Sequence, residues 1–231
     1  MVSAVDKVID YTARKYESAR DSYWAYVPND NGKGVSYGFI QFNQQVGELP
    51  ALFKEMSNVA PSKFSQVFGT YAPKMLQEQW VRTSDLAGDA DFVARLRASG
   101  QVPEFQQAQR NLAKRKYFDP TALTVKNLGL KSERAYAMAY DTAVQRGSST
   151  ANRLLIEAAQ QTPRTADWER QVLAKFAVTS DTTTAAGVVN RRKQMLTDLG
   201  LSDAALFAAG AGLTTLLLVG AGIWWYLKHQ A

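Results

Sequence analysis

The chain has 231 residues, with 27 Lys and Arg against 21 Asp and Glu, so its formal net charge is +6. This length accommodates one sizeable core and a short appendage, and the charge favours an anionic partner. The sequence has no cysteine, and its single histidine is His229, which excludes disulfides, thiol catalysis, Ser-His-Asp chemistry and a histidine or cysteine zinc site. We therefore expect catalysis to depend on carboxylates, with no cofactor and no metal.

The N-terminus predicts a helix over residues 3–18. Met1 to Lys7 has no apolar run, so no signal peptide is predicted. Apolar residues then recur at helical spacing from Val5 to Tyr16, which indicates a helix buried along one side. Glu17 falls at its C-terminal end, where a glutamate is either a solvated helix-end residue or a functional group.

The stretch from Asn29 to Leu49 is the most informative part of the chain. A polar turn containing Gly32 and Gly34 leads into a short alternating run over residues 35–42, and a helical segment carrying Glu48 follows. A glutamate closing a helix, a polar turn and a short β segment together are typical of the active-site corner of lysozyme-like glycosidases.

The remainder of the chain up to residue 200 predicts helices separated by Pro or Gly. The pattern therefore predicts a mainly α domain over residues 1–200 with its β element confined to residues 35–42, and the corner described above makes this domain resemble the lysozyme-like (α+β) fold. The predicted helices are Pro50–Met56, Pro61–Phe68, Pro73–Trp80, Asp89–Ala98, Glu104–Tyr117, 121–129, 132–146, 150–161, 165–177 and 184–198.

Residues 201–231 are predicted to form a membrane anchor. Positions 204–227 contain no charged residue, and a helix of that length covers roughly 36 Å, enough to cross a bilayer with some tilt. Trp224, Trp225 and Tyr226 are suited to the membrane interface. The sequence predicts one C-terminal transmembrane helix of undetermined orientation, with the lipid bilayer as a partner.

Several motifs in order resemble the family 46 chitosanases of the lysozyme superfamily. Asn31 to Phe42 is similar to that family's turn and strand, and Gly47-Glu48 is similar to its Gly-Asp pair. The segment from Pro103 to Gln109, followed by Tyr117-Phe118-Asp119-Pro120, resembles its Phe-x-x-Ala-Gln and Tyr-Phe-Asp-Pro motifs. Residues 135–147 resemble its next helix. The resemblance covers roughly residues 10–195.

The resemblance implies roles for individual residues. Glu17 corresponds to the general acid, Ser36 to a residue that helps hold the attacking water, and Glu48 to an acidic residue lining the sugar cleft. Asp119, together with Arg191 or Arg192, corresponds to part of a buried ion network, although a helix N-cap before Pro120 is an equal alternative for Asp119. The residues predicted to bind substrate are Asn31, Ser36, Tyr37, Gln41 and Glu48.

The second carboxylate departs from the family pattern. Asn31 aligns with the family's catalytic aspartate, and an amide cannot act as a general base. If Asp30 points inward, the enzyme can invert, with the two carboxylates roughly 6.5–9.5 Å apart. If Asp30 faces solvent, Glu17 works alone as in lytic transglycosylases, to which the Gly38-to-Gln41 stretch is also similar. Either route requires a protonated Glu17, so apolar neighbours such as Tyr16, Tyr37 and Phe39 are expected.

The substrate and setting follow from charge and architecture. A basic chain suits the carboxylates of peptidoglycan better than polycationic chitosan. A wall-degrading domain on a membrane helix fits a phage virion protein that opens the cell wall during entry, located in a virion membrane or the bacterial envelope. Homo-oligomers and other virion proteins are further candidate partners. The alternatives are a chitosanase, or a non-catalytic structural or glycan-binding module. Nucleic acid is not predicted as a partner, because Lys and Arg are scattered.

Overall fold

The computed structural model describes residues 4–17, 23–179, 186–198, 201 and 203, with the side chain of Glu17 excepted. The described chain is mainly helical, with a small antiparallel sheet in strand order β1-β2-β3. This confirms the predicted mainly helical class with a small β element. The strands are β1 Tyr26–Val27, β2 Ser36–Tyr37 and β3 Phe42–Asn43, and the α-helices are α1 Ala4–Thr12, α2 Glu48–Val59, α3 Pro61–Phe68, α4 Ala72–Met75, α5 Glu78–Thr83, α6 Ala90–Ser99, α7 Pro103–Ala113, α8 Asp119–Leu128, α9 Glu133–Arg146, α10 Ser148–Gln160, α11 Trp168–Val178 and α12 Ala186–Thr197.

Helix α9 is the centre of the helical packing. Every residue from Arg134 to Ala143 is buried, because the segment combines small and aromatic residues on all sides rather than on one stripe. Helices α1, α8, α10 and α12 pack against it. Ser132 caps its N-terminus by accepting a hydrogen bond from the amide of Ala135 at 3.1 Å.

Two of the described helices continue into a π-helical turn, and these turns carry Glu17 and Tyr117. Helix α1 continues into a π-helix over Ala13–Glu17, and α7 continues into another over Lys114–Phe118. The wider π turn redirects side chains relative to the preceding α-helix and is common at functional sites. Tyr117, the predicted end of one helix, lies within the second π-helix.

The sheet is larger than the sequence pattern indicated. Tyr26 pairs with Tyr37 and Val27 with Ser36 across β1 and β2, while β3 pairs with the other side of β2. The prediction confined the β content to residues 35–42 and missed β1. A two-residue strand has too short an alternation to be recognised.

Two described residues beyond the predicted boundary at residue 200 contact the domain. Leu201, which the prediction assigned to the anchor, is buried against the core. The side chain of Asp203 pairs with Arg134 at 2.8 Å. The predicted span over residues 204–227 lies outside the described residues, and within the described ranges no helix is long and apolar enough to cross a membrane.

Candidate active site

The turn between β1 and β2 is fixed by its own backbone. The amide of Asp30 donates to the carbonyl of Gly34 at 2.9 Å, and the amide of Lys33 donates to the carbonyl of Asp30 at 3.0 Å. Asn31, Gly32 and Gly34 all have φ between 54° and 78°, the left-handed region that glycine and asparagine tolerate best. The turn chemistry predicted from the sequence is therefore present, and it presents Asp30 beside the sheet.

Asp30 is held by a chain of three side chains. Asn43 Nδ2 donates to Ser36 Oγ at 3.1 Å, and Ser36 Oγ donates to Asp30 Oδ2 at 2.8 Å. Asn31 Nδ2 donates to the other carboxylate oxygen of Asp30 at 2.9 Å. Ser36 is fully buried, so the carboxylate of Asp30 is directed towards the sheet. Its orientation relative to Glu17 stays a prediction.

Asn31 and Ser36 thus both act on Asp30. The Asn31 amide is exposed and braces the carboxylate, while the buried Ser36 hydroxyl relays a hydrogen bond from Asn43. Contact of either residue with a glycan stays a prediction. Asn43 was missed, because it lies one residue after the predicted β run over residues 35–42 and gives no distinctive sequence signal.

Two buried glutamines anchor the loops around the turn. Gln44 accepts from the amide of Val35 at 2.8 Å and donates to the carbonyls of Val81 and Ser84 at 2.7 and 2.8 Å. Gln109 accepts from the amide of Phe39 at 3.1 Å and donates to the carbonyl of Tyr23 at 2.8 Å. These contacts explain physically why the Phe-x-x-Ala-Gln motif ends in Gln109. A polar residue on the buried face of a helix is the sequence signal for Gln109.

Glu48 is tied into the scaffold at the N-terminus of α2. Its carboxylate accepts from the amide of Asn43 at 3.2 Å, from Lys116 Nζ at 2.7 Å and from the hydroxyl of Tyr117. The side chain is only 16% exposed. Glu48 therefore joins β3 to the π-helix over Lys114–Phe118, and its predicted contact with substrate remains a prediction.

Two other residues predicted to bind substrate, Tyr37 and Gln41, have different environments. Tyr37 is 0% exposed, and its hydroxyl shares a 2.8 Å hydrogen bond with Ser99 Oγ. A fully covered side chain cannot contact a glycan, so the substrate-binding role predicted for Tyr37 is wrong and the residue belongs to the core. Gln41 is half-buried in a left-handed conformation, and its Nε2 donates to the carbonyl of Gly38 at 2.9 Å. Its predicted role is compatible with this position.

The helix that carries Glu17 is fixed on two sides. Glu17 is the last residue of the π-helix Ala13–Glu17, and its side chain lies outside the described part of the chain. On one side, Asp10 accepts a 2.7 Å hydrogen bond from the hydroxyl of Tyr23, whose pKa is raised mainly by burial. On the other side, Tyr16 donates to Asp198.

The buried ion pair includes Asp141 rather than Asp119. Asp141 is 0% exposed and pairs with Arg191 at 3.3 Å, while the neighbouring Arg192 is fully buried. Asp119 instead pairs with Lys114 at 2.6 Å at the partly exposed start of α8. Neither predicted role of Asp119 is therefore correct. A charged residue in the apolar run from Ala135 to Ala143 was the available signal for Asp141.

A concave surface lies on the far side of the turn. It has a volume of about 450 Å³ and is bordered by Pro28, Gly32, Gln44 and Arg82. This size is within the range of small-molecule sites. The described residues contain no group of three or more acidic or histidine side chains that could hold a metal ion.

Comparison with known proteins gives one family. The model of glycosyl hydrolase family 46 matches residues 11–188. A curated chitosanase from Bacillus subtilis (strain 168) is 25% identical over 118 residues, which is 51% of this chain and 42% of that protein. The chain thus spans less than half the length of the curated relative that it matches.

Solved chitosanase structures share the fold. A chitosanase complex superposes with a TM-score of 0.59 at 22% identity, covering 77% of this chain and 79% of the other. A mutant chitosanase from Bacillus subtilis MY002, complexed with 6 GlcN, gives 0.58 at 18% identity and 84% coverage of both chains. The Gynuella sunshinyii chitosanase with chitotetraose gives 0.57 at 16% identity, covering 83% and 82%.

Proposed function

The chain belongs to glycosyl hydrolase family 46, and on that premise we propose that it hydrolyses a β-1,4-linked amino-sugar polymer, with Glu17 as general acid and Asp30 as general base. The observation that carries this proposal is the 2.8 Å hydrogen bond from Ser36 to Asp30. This bond directs the carboxylate of Asp30 towards the sheet. The turn therefore has a carboxylate available as a base, although Asn31 itself has only an amide.

The proposed reaction is a single displacement. Glu17 donates its proton to the glycosidic oxygen as the bond to the anomeric carbon breaks, and the leaving sugar departs as a free hydroxyl. Asp30 accepts a proton from a water molecule, whose oxygen attacks the anomeric carbon from the opposite face. Because Ser36 and Asn31 each occupy one lone pair on different oxygens of Asp30, lone pairs remain to receive the proton. The product has the inverted anomeric configuration.

We propose peptidoglycan as the substrate on electrostatic grounds. Three acidic side chains near the turn and the first helix have a cationic partner: Glu48 has Lys116 at 2.7 Å, Asp198 has Lys15 at 2.7 Å and Asp10 has Arg110 at 3.9 Å. Lys33 is exposed in the turn itself. Such a surface repels a polycation and attracts a glycan that bears carboxylates.

Chitosan is the second candidate substrate. It is favoured by the relatives, since the curated protein and the solved structures are chitosanases and two of those structures hold glucosamine oligomers or chitotetraose. The two substrates share the β-1,4 amino-sugar backbone and differ in charge.

We further propose that residues 204–227 tether the domain to a membrane, with a phage virion membrane or the bacterial envelope as the setting. The support is the uncharged 24-residue stretch, whose length matches a bilayer span. Recovery of the full chain in the membrane fraction after alkaline carbonate extraction is the expected result. Release into the supernatant would contradict the tether.

The activity is tested with the full chain in mild detergent on purified peptidoglycan and on chitosan in parallel, followed by mass spectrometry of the products. We expect soluble muropeptides with reducing ends. Products with anhydro ends would show that Asp30 is not the base and that Glu17 works alone, as in lytic transglycosylases. Cleavage of chitosan alone would select the second substrate.

Variants separate an enzyme from a non-catalytic module. Glu17→Gln and Asp30→Asn remove one proton-transfer group each with little change in shape, and each should lower the rate by at least about 100-fold. Glu157→Gln is the matched control, because Glu157 is half-exposed on α10 and pairs only loosely with Arg153 at 3.7 Å. Absence of cleavage of both polymers by the wild-type chain would favour a structural or glycan-binding module.

A further inference from the structure

Asp198 is a buried carboxylate to which the proposed mechanism gives no role. It follows the C-terminus of α12, and its side chain is only 3% exposed. Its sequence position, close to the predicted membrane segment, gives no reason to connect it with a site formed by residues 17–48. The structure nevertheless places it against the first helix.

Three side chains of the first helix converge on this carboxylate. Tyr11 donates to Oδ1 at 2.7 Å, Tyr16 donates to Oδ2 at 2.5 Å, and Lys15 Nζ lies 2.7 Å from Oδ2. Tyr11 and Lys15 are also bonded to each other at 3.1 Å. Burial and the neighbouring Asp198 raise the pKa of Tyr16, so its hydroxyl stays protonated and donates throughout the neutral range.

The backbone around Asp198 is fixed from the opposite side. Arg134, on the central helix α9, donates to the carbonyl of Asp198 at 3.0 Å and to that of Leu201 at 2.7 Å. It also donates to the carbonyl of Met195. The segment that carries the carboxylate is thus held by the core on the side opposite the first helix. Hydrogen bonds in which one partner is charged, as Arg134 is here, are stronger than bonds between neutral groups.

The contacted turn is the one that ends in Glu17. Lys15 and Tyr16 belong to the π-helix Ala13–Glu17, and the position of its last residue depends on where this turn is anchored. We propose that Asp198 is a positioning residue for Glu17: by holding Tyr11, Lys15 and Tyr16 it sets the location of the general acid relative to the bond that is cleaved. This role rests on the proposed function of Glu17.

Loss of the Asp198 contacts should lower the rate strongly, although no group that transfers a proton is removed. A displacement of the acid by about 1 Å costs on the order of 100-fold in rate. Substrate binding depends on other surfaces. Loss of the Asp198 contacts should therefore lower kcat by about 10- to 100-fold and leave KM within about two-fold of its original value.

The experiment compares the full chain with Asp198→Asn, Tyr16→Phe, the double variant and Asp203→Asn. Asp203 is the matched control, since it is an exposed aspartate of the same segment that contacts Arg134 and not the first helix. We expect the kcat loss in Asp198→Asn, a smaller loss in Tyr16→Phe, and no further loss in the double variant, because the contact removed by Tyr16→Phe is among those already weakened by Asp198→Asn. Asp203→Asn should retain kcat.

Amide hydrogen exchange gives a readout that does not depend on activity. In Asp198→Asn, exchange should accelerate in peptides from residues 4–17 and stay unchanged in α9. Unchanged kcat in Asp198→Asn, with activity still abolished by Glu17→Gln, would overturn the positioning role and leave the proposed function intact. Additive losses in the double variant, or unchanged exchange in residues 4–17, would also overturn it. A wild-type chain without Glu17-dependent cleavage would overturn both proposals.

Discussion

At the scale of single residues, Asp30 owes its orientation to a hydroxyl that is itself oriented. Ser36 is buried on the central strand β2. Its hydroxyl accepts a hydrogen bond from Asn43 Nδ2 and donates its own proton to the carboxylate of Asp30. A neutral donor of this kind fixes direction without adding charge. The carboxylate of Asp30, the proposed base, is therefore oriented by three hydrogen bonds, although the chain has an asparagine where the resembled family has its aspartate.

Replacing Ser36 with Ala should uncouple Asp30 from the sheet. The carboxylate then loses its donor and becomes free to rotate towards solvent, so we expect kcat to fall by about 10- to 100-fold, with a loss in the free energy of unfolding of about 1 kcal/mol. Ser36→Thr keeps the hydroxyl and should retain most of the activity. Initial rates and urea unfolding of the three chains check this, and an Ala variant as active as wild type would remove Ser36 from the mechanism.

At the scale of elements, the turn over residues 30–34 is specified by its glycines in two different ways. Gly32 and Gly34 have similar positive φ values of 78° and 73°. A Cβ at Gly32 would meet nothing within 4 Å, whereas a Cβ at Gly34 would lie 2.4 Å from Gln44 Oε1. Conformation alone constrains the first position, and the second is also constrained by packing.

The pair Gly32→Ala and Gly34→Ala separates these two constraints. Gly32→Ala should cost about 1 kcal/mol of unfolding free energy from its left-handed backbone. Gly34→Ala should cost about 3 kcal/mol, because the methyl group must also displace Gln44 from Val35, Val81 and Ser84. Urea denaturation measures both. Equal losses in the two variants would mean that the Gln44 contacts contribute little to holding the turn.

Much of this element-level architecture could be predicted from the sequence. Apolar spacing located most helices, and Pro61, Pro103 and the glycine-containing turns located several of their ends. The pattern could not reveal β1, the π turns or the split of Pro73–Trp80 into α4 and α5, because these depend on pairing and packing between distant segments. The same limitation hid the hydrogen-bond partners of Gln109 and Asp141, which are remote in sequence.

At the scale of the whole molecule, several tyrosines make stability sensitive to alkaline pH. Burial raises the pKa of Tyr37, which is fully enclosed. A raised folded-state pKa means that the stabilisation is complete below the unfolded-state pKa, near 10, and is lost as pH rises towards the folded-state pKa. We therefore expect the free energy of unfolding to fall above about pH 10.

Tyr37→Phe should make that alkaline decline shallower. The wild-type slope contains up to about 1.4 kcal/mol per pH unit from one tyrosine that ionises only when the chain unfolds. Removing the hydroxyl removes this contribution and also the hydrogen bond to Ser99. Loss of that bond lowers the free energy of unfolding by the same amount at every pH, so the difference measured at neutral pH is subtracted. Urea denaturation of both chains at a series of pH values decides the matter. Parallel curves would show that Tyr37 ionises equally in both states.

The charge of the whole chain also predicts opposite salt responses for the two candidate substrates. The net charge is +6, and the segment over residues 204–231 contributes only Lys228 to it, so the excess lies in the domain that acts on the glycan. If peptidoglycan is the substrate, raising NaCl from about 20 to about 300 mM shortens the range of attraction and should raise KM several-fold. For a polycation, the same change screens repulsion and should lower KM.

Lys33→Gln tests whether the salt effect originates at the turn, because Lys33 is exposed there. This variant should weaken the salt dependence of KM on peptidoglycan. A KM on peptidoglycan that does not change with salt would remove the electrostatic argument for that substrate.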